Sequence, residues 1–422
     1  MSNKIIAFLE VLKERDLIHQ TTDLNELKNN NNIITGYTGF DCTSDSLHVG
    51  SLLQLMLLRW LQKTGNKPIV LIGGGTTKIG DPSGKDETRK ILDDDVISNN
   101  SSGIKKIIKR FIKFGNEKND AILIDNSEWL ENINYINFLR NFGRHFSINR
   151  MLTFDSVKMR LERQQNLSFL EFNYMIIQAY DYFILNKRFN CNVQFGGSDQ
   201  WGNIINGIDL IKRIDSLENK KSNAHAITSP LITTSNGKKM GKTANGAIWL
   251  SQEKLSIFDF WQFWRNTLDE DVIRFLKYFT EIEINEINKL SKLKGEEINE
   301  AKILLANSVT EITYGKENSL KAQMSSTKSI DNSLNEKLLP FTSIDKKMII
   351  KGVPAYLIFS LNAILCKSNS EARRLIKQGG AKINGEKITD FNKIIDESFI
   401  KENNSMKISA GTKRHALIKV QI

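Results

Sequence analysis

Cysteine and histidine are scarce in this 422-residue chain, which has three of the first (Cys42, Cys191 and Cys366) and five of the second. The cysteines are odd in number and form no CxxC pair, so they do not read as a disulfide framework. Neither residue type clusters at a spacing that would hold a metal, so no metal site is expected. This usage fits a reducing compartment, and a cytoplasmic protein is expected. Long apolar runs are missing too. Stretches such as PIVLI at 68–72 span only a few residues, which argues against a membrane-spanning helix. The opening MSNKIIAFLEVLKERDL carries acidic residues at helical spacing and reads as an amphipathic helix, not a cleaved targeting signal. No internal repeat is visible.

What is present is an ordinary globular composition, 40% hydrophobic and 25% charged, long enough for two or three domains with their own cores. The net charge of +11 has two readings: a polyanionic partner, or a lysine-rich composition with no partner behind it. From about 33 to 85 the pattern runs strand, turn, helix, strand, turn: IITGYTGFD, then LHVGSLLQLMLLRWLQKTG, then KPIVLIGGG. The continuous apolar second strand is of the kind buried in a parallel sheet, so an α/β fold with a βαβ unit is expected. A right-handed crossover brings YTGFD and GGGTTKIGDPSGK to one sheet edge, where ligands of open α/β sheets bind. A helical stretch follows from about 131 to 187, and NVQFGGSDQWGN then supplies a third edge loop. The chain is helical again after LITTSNGKKMGKT, and polar and serine-rich over 315–350. Its last seventy or so residues look like a separate small module with clustered basic residues.

The glycine turns say little singly. GGGTTKIGDPSGK is not a P-loop, because Gly80 and Gly84 are one residue too close and Asp86 follows Lys85. LHVG is more informative: His48 and Gly50 open a helix directly after a strand, where backbone N–H groups and the helix dipole favour an anion. Ser44, Asp45 or Ser46 would cap that helix, leaving Asp41 and Thr43 to face a ribose and a phosphate. KKMGKT at 238–243 places lysines around a glycine in a short loop, suited to clamping a pyrophosphate. The competing reading of that loop is a solvated basic turn.

Taken together, YTGFDCTSDSLHVG, IGDPSGK, FNYMIIQAYD, GGSDQWGN, KMGKT and SEARRLIKQGGAKING resemble, in order, the motifs of bacterial-type tyrosyl-tRNA synthetases, a class I family. The resemblance covers essentially the whole chain. It implies a Rossmann-like doubly wound catalytic domain over 1–235 with a helical insertion at about 120–190. A loop and α-helical domain would follow over 236–335, a linker over 336–350, and a small α+β S4-like RNA-binding domain over 351–422. It implies tyrosine activation by ATP, transfer to tRNA and a homodimer. No cofactor would be permanently bound, and magnesium would arrive with ATP.

Residue by residue, the resemblance places Tyr37 and Asp181 on the substrate phenol, and Asp81, Tyr174 and Gln178 on its ammonium, with Gln200 beside them. Tyr174, Gln178 and Asp181 fall at i, i+4 and i+7, one helix face. Gly39, Asp41, Gly50 and His48 would meet ATP from one side, with Gly197, Asp199 and Gln200 on the other. Lys85, Arg89, Lys239 and Lys242 would neutralise the departing pyrophosphate, with His48 and Thr43 the other catalytic residues. Arg373, Arg374, Lys377, Lys413 and Arg414, with His415, would bind RNA. The chain departs from the family signature at Ser51, where the second histidine of the HIGH motif is expected. Two alternatives stand beside this reading: the tryptophanyl enzyme, which shares the core, and a non-catalytic RNA-binding protein derived from a synthetase.

Overall fold

The computed structural model describes residues 3–29, 32–82, 91–235, 237, 240, 242–243, 246–331, 340–400, 404–411 and 414–421. The chain divides into two compact units, Met1–Met324 and Ser325–Ile422.

The first unit is built on a six-stranded sheet of β1 (Gln20–Thr21), β2 (Thr35–Asp41), β3 (Lys67–Gly73), β4 (Ile122–Asp125), β5 (Val193–Gly197) and β6 (His225–Ser229), in the order β1-β6-β5-β2-β3-β4. The expected βαβ unit is present, with β2 and β3 parallel from Thr35 opposite Lys67 to Asp41 opposite Gly73. All pairings are parallel except β1 with β6, so the parallel sheet carries one short antiparallel edge. Helix α1 (Val49–Lys63) buries Leu52, Leu53, Met56, Leu57 and Trp60 against this sheet. Each such leucine contributes about 1.5–3 kcal/mol by leaving water.

Helix α2 (Asp94–Ile108) follows. The stretch expected to be a helical insertion from about 120 opens on a strand instead, β4, which extends the sheet beyond β3. Four residues, ILID, are too few for hydrophobic period to separate strand from helix. Helix α3 (Phe169–Phe189) starts at a capping box between Ser168 and Glu171 and stops at Asn190, whose φ of 51° is left-handed. Helix α4 (Trp201–Leu217) comes next, then two short strands, β7 (Lys242–Thr243) and β8 (Gly246–Ala247), and helices α5 (Ile257–Arg265), α6 (Asp269–Phe279) and α7 (Ile298–Tyr314). Phe260, Trp264, Phe275 and Leu305 of these last helices lie in the same hydrophobic cluster as Leu52 and Val70, so the expected boundary at 235/236 separates no core. Among the described residues no helix is long and apolar enough to cross a membrane.

The second unit has its own core, around Ile358, Phe359, Ile376, Ile383, Ile408 and Ile418. Its five-stranded sheet contains β9 (Phe341–Asp345), β11 (Ala381–Ile383), β12 (Glu386–Lys387), β14 (Ser405–Ala410) and β15 (Arg414–Gln421). A separate pair joins β10 (Val353–Pro354) to β13 (Ile394–Ile395). The larger sheet runs β12-β11-β14-β15-β9, and helix α8 (Asn369–Lys377) gives Ala372 and Ile376 to the same core. The expected Gly-Gly stop ends α8, with Gly380 N–H donating to the Leu375 carbonyl and Gly379 at φ 73°. The expected Asn-Gly hairpin joins β11 to β12, with Asn384 at φ 52° and Gly385 at 92°. The linker expected at 336–350 is shorter than read, because Phe341–Asp345 is a strand parallel to β15 and Lys346–Ile350 is helical. The partner strand lies about seventy residues away in sequence, so no local signal marks FTSID as paired.

Candidate active site

β3 and β5 leave β2 on opposite sides, so a crevice opens at the carboxyl ends of β2 and β5, where open α/β sheets hold ligands. A cavity of about 640 Å³ occupies it. The structure brings to its walls Tyr37, Gly39, Asp41, Thr43, His48, Gly50, Ser51, Asp81, Tyr174, Gln178, Asp181, Gly197, Asp199 and Gln200. These are the expected residues of three edge loops and one helix face. Lys85, Arg89 and Lys239 lie outside the described residues, and Lys242 is described only through its backbone, in β7.

At the bottom of the cavity Tyr37 and Asp181 are 1% and 2% exposed. The Tyr37 hydroxyl is buried with no hydrogen-bond partner among the described residues, and burial together with Asp181 raises its pKa well above the ordinary phenol value. Asp181 accepts from Trp129 Nε1 at 2.7 Å and from Asn126 Nδ2 at 2.8 Å. Burial pushes its pKa up to about 8, against the pull of those two donors, with Asp41 and Asp125 adding to the rise. A phenol entering here would meet an unpartnered hydroxyl and a carboxyl group already oriented by two N–H donors.

Higher on the same face of α3, Tyr174 donates to Asp41 Oδ2 at 2.9 Å, and Asp41 Oδ1 accepts from Thr76 Oγ1 at 2.7 Å. Asp41, read from sequence as facing ATP, is therefore also tied to the wall that carries Tyr174. Burial first, then Asp41 and Asp81, raises the Tyr174 pKa, so it remains a neutral donor. Gln200 Nε2 donates to Asp81 Oδ2 at 2.9 Å, and Asn203 Nδ2 bridges Gln178 Oε1 at 3.1 Å and Gln200 Oε1 at 3.2 Å. These acceptors suit an ammonium group.

On the other wall the cap of α1 differs from expectation. His48 itself is the N-cap, its Nδ1 accepting from Gly50 N–H at 2.9 Å, so Ser44, Asp45 and Ser46 do not hold that role. A Cβ on Gly50 would stand 2.5 Å from His48 Cε1, which is why glycine follows two residues after the histidine. The strand-like stretch after β8 pairs with this cap: Val49 N–H donates to the Ile248 carbonyl at 2.9 Å and Leu250 N–H to the Leu47 carbonyl at 2.8 Å. Trp249 packs edge-on to His48.

Sequence reasoning missed Asn126, Trp129, Thr76, Asn203 and Trp249. Asn126 had one usable signal, its place directly after a strand that ends on the ligand edge; the others depend on contacts between distant segments.

In the C-terminal unit, the Arg373 guanidinium lies 4.1 Å from the Tyr356 ring centroid and Lys377 Nζ 5.5 Å from that of Phe391. Arg374 is exposed. Arg414 donates to the Leu365 carbonyl at 3.0 Å and pairs with Glu371 at 3.8 Å, so it also has structural partners. Lys413 lies outside the described residues.

The fold and this constellation define a class I aminoacyl-tRNA synthetase core. The chain belongs to the family of class I tRNA synthetases for tryptophan and tyrosine, whose model matches residues 28–329, and an S4 domain matches residues 361–398. Within the family it is similar to proteins named tyrosine–tRNA ligase. The one from Rickettsia massiliae is 49% identical over 417 residues, covering 98% of this chain and all of the relative. That of Nitrobacter winogradskyi is 50% identical over 414 residues, 98% of each chain. The crystal structure of a C-terminally truncated Aspergillus nidulans mitochondrial tyrosyl-tRNA synthetase superposes with a TM-score of 0.68 at 32% identity, covering 76% of this chain and 94% of that one.

Proposed function

We propose that this chain is a tyrosine–tRNA ligase that forms tyrosyl-adenylate from L-tyrosine and ATP and then passes the tyrosyl group to the 3′ end of its tRNA. The observation that carries the assignment to tyrosine is the bottom of the cavity: the buried, unpartnered Tyr37 hydroxyl beside Asp181. A substrate phenol satisfies both groups. Phenylalanine would leave the Tyr37 hydroxyl unpaired, at roughly 1–3 kcal/mol for a buried group, and would bring no donor to Asp181.

The substrate carboxylate attacks the α-phosphorus of ATP; a new P–O bond forms as the bond to the β-phosphate oxygen breaks, and pyrophosphate leaves. No side chain need act as nucleophile, so the protein contributes position and electrostatics. Asp81, Gln178 and Tyr174 hold the ammonium end. His48 faces the phosphates at the start of α1, whose first N–H groups are held by the Ile248 carbonyl and by His48 itself, and Lys85, Arg89, Lys239 and Lys242 neutralise the leaving pyrophosphate. Magnesium enters as part of the nucleotide substrate. The basic face of α8, with Arg373, Arg374 and Lys377, serves tRNA, by shape and phosphate contacts that weaken with salt.

A cytoplasmic location and a homodimer complete the reading. Exposed apolar side chains on the segment between β4 and α3 and at the start of α3 support the dimer, among them Ile136 at 68%, Ile148 at 64% and Phe169 at 72% exposure. Exchange of labelled pyrophosphate into ATP, run with tyrosine, tryptophan and phenylalanine in turn, tests the activity. Exchange with tyrosine alone is expected. Exchange driven by tryptophan would favour the sister enzyme, and none with any amino acid would favour an RNA-binding descendant.

A further inference from the structure

The segment that carries Lys239 and Lys242 leaves the sheet through Thr233 and Ser235, and both are gripped by one turn of α6. Arg274 Nη2 donates to the Thr233 carbonyl at 2.6 Å, and Ser235 N–H donates to Asp271 Oδ2 at 2.9 Å. Asp271 and Arg274, three residues apart on the helix, also pair with each other. Asp271 is 1% exposed, so these two partners supply hydrogen bonds that water does not reach to give. The backbone then turns, Gly237 N–H reaching the Thr234 carbonyl at 2.8 Å with Gly237 at φ 77°, and Met240 N–H returns to the Ile232 carbonyl at 2.9 Å. One residue of the pair accepts from an N–H and the other donates to a carbonyl, two positions apart, so together they fix both the place and the direction of this backbone. At the far end the chain is fixed by the Ile248 and Leu250 bonds to Val49 and Leu47.

We propose that Asp271 and Arg274 are positioning residues for adenylate formation: they touch no substrate, and they set the point from which the Lys239–Lys242 segment reaches the nucleotide. The inference rests on the proposed role of those lysines. The alternative is that the pair only cements α6 to the end of the sheet, in which case its loss would weaken folding and tyrosine binding together.

The test compares wild type with Asp271→Asn, Arg274→Met and Arg274→Lys, in the full chain, by single-turnover adenylation, tyrosine binding without ATP, and thermal melting. Asp271→Asn and Arg274→Met are expected to slow adenylation at least about tenfold, since a small misplacement of a charge-stabilising group is costly. Tyrosine affinity should stay within about twofold, as expected of a contact that matters only in the transition state. Arg274→Lys keeps the charge but not the forked reach, and should fall between. In a Lys239→Ala background, Asp271→Asn should slow the reaction by less than about twofold further, because both changes remove one effect. Wild-type rates in Asp271→Asn and Arg274→Met, a parallel loss of tyrosine binding, or an undiminished effect in the Lys239→Ala background would each overturn the inference. Should Asp271→Asn fail to fold, the two Arg274 variants carry the same test. If Lys239→Ala itself reacts at the wild-type rate, the lysine role fails. If it is slow while the anchor variants are fast, only the anchor fails.

Discussion

Asp181 is held between opposing influences, and the balance has a measurable consequence. Burial favours its neutral form, while the indole of Trp129 and the amide of Asn126 favour the carboxylate; the result is a pKa of about 8. Its folded value lies above the ordinary 3.8, so the folded protein keeps a proton that the unfolded chain would release between those values. Ionisation as pH rises through about 8 turns a neutral partner into a charged acceptor, to which a phenol O–H bonds more strongly. The ratio of kcat/KM for tyrosine to that for phenylalanine should therefore rise from pH 6.5 to 8.5, by about threefold to tenfold. Taking the ratio cancels the titration of the amino group common to both substrates. Asp181→Asn should flatten the profile; a ratio independent of pH in the wild type would show that Asp181 does not change charge in that range.

At the level of the element, the start of α1 joins three functions in a few residues: the end of a βαβ turn, a histidine cap and a nucleotide-facing helix terminus. The cap explains the spacing of His48 and Gly50, since a methyl group at 50 would overlap the imidazole that accepts the Gly50 N–H. Gly50→Ala is thus expected to displace His48 and slow adenylation at least tenfold, about 1.4 kcal/mol, with a melting point close to wild type. An unchanged rate would remove His48 from the chemistry. The elements themselves were largely legible in sequence. PIVLI read as a buried strand because it follows a helical stretch and ends in a glycine turn, and Tyr174, Gln178 and Asp181 shared a helix face by period alone. β4 and β9 were not legible: four or five residues carry no period, and what makes them strands is a partner elsewhere in the chain.

At the scale of the whole molecule, two cores separate two tasks. The cavity lies wholly in Met1–Met324, and the basic helix α8 in Ser325–Ile422. A protein ending at Asp331, before β9, should exchange pyrophosphate with tyrosine at about the wild-type rate and, if the proposed dimer forms through the first unit, sediment as a dimer. Its kcat/KM for tRNA should fall at least tenfold, the loss expected when several phosphate contacts are removed. Equal charging would show that α8 is not an RNA surface. Ending the chain at 345 instead would leave β9 without β15 and expose its paired edge.

The sequence by itself determined the class of fold, the order of the motifs and most of the cavity wall, because strand-to-helix turns at one sheet edge need only the chirality of the crossover to converge. Only the tertiary structure decided what those groups bond to. Trp129 and Asn126 orient Asp181 across more than fifty residues, and Asp271 and Arg274 grip the lysine-bearing segment from about forty residues away. Such contacts are fixed by packing between elements, which hydrophobic period and spacing within one element do not encode.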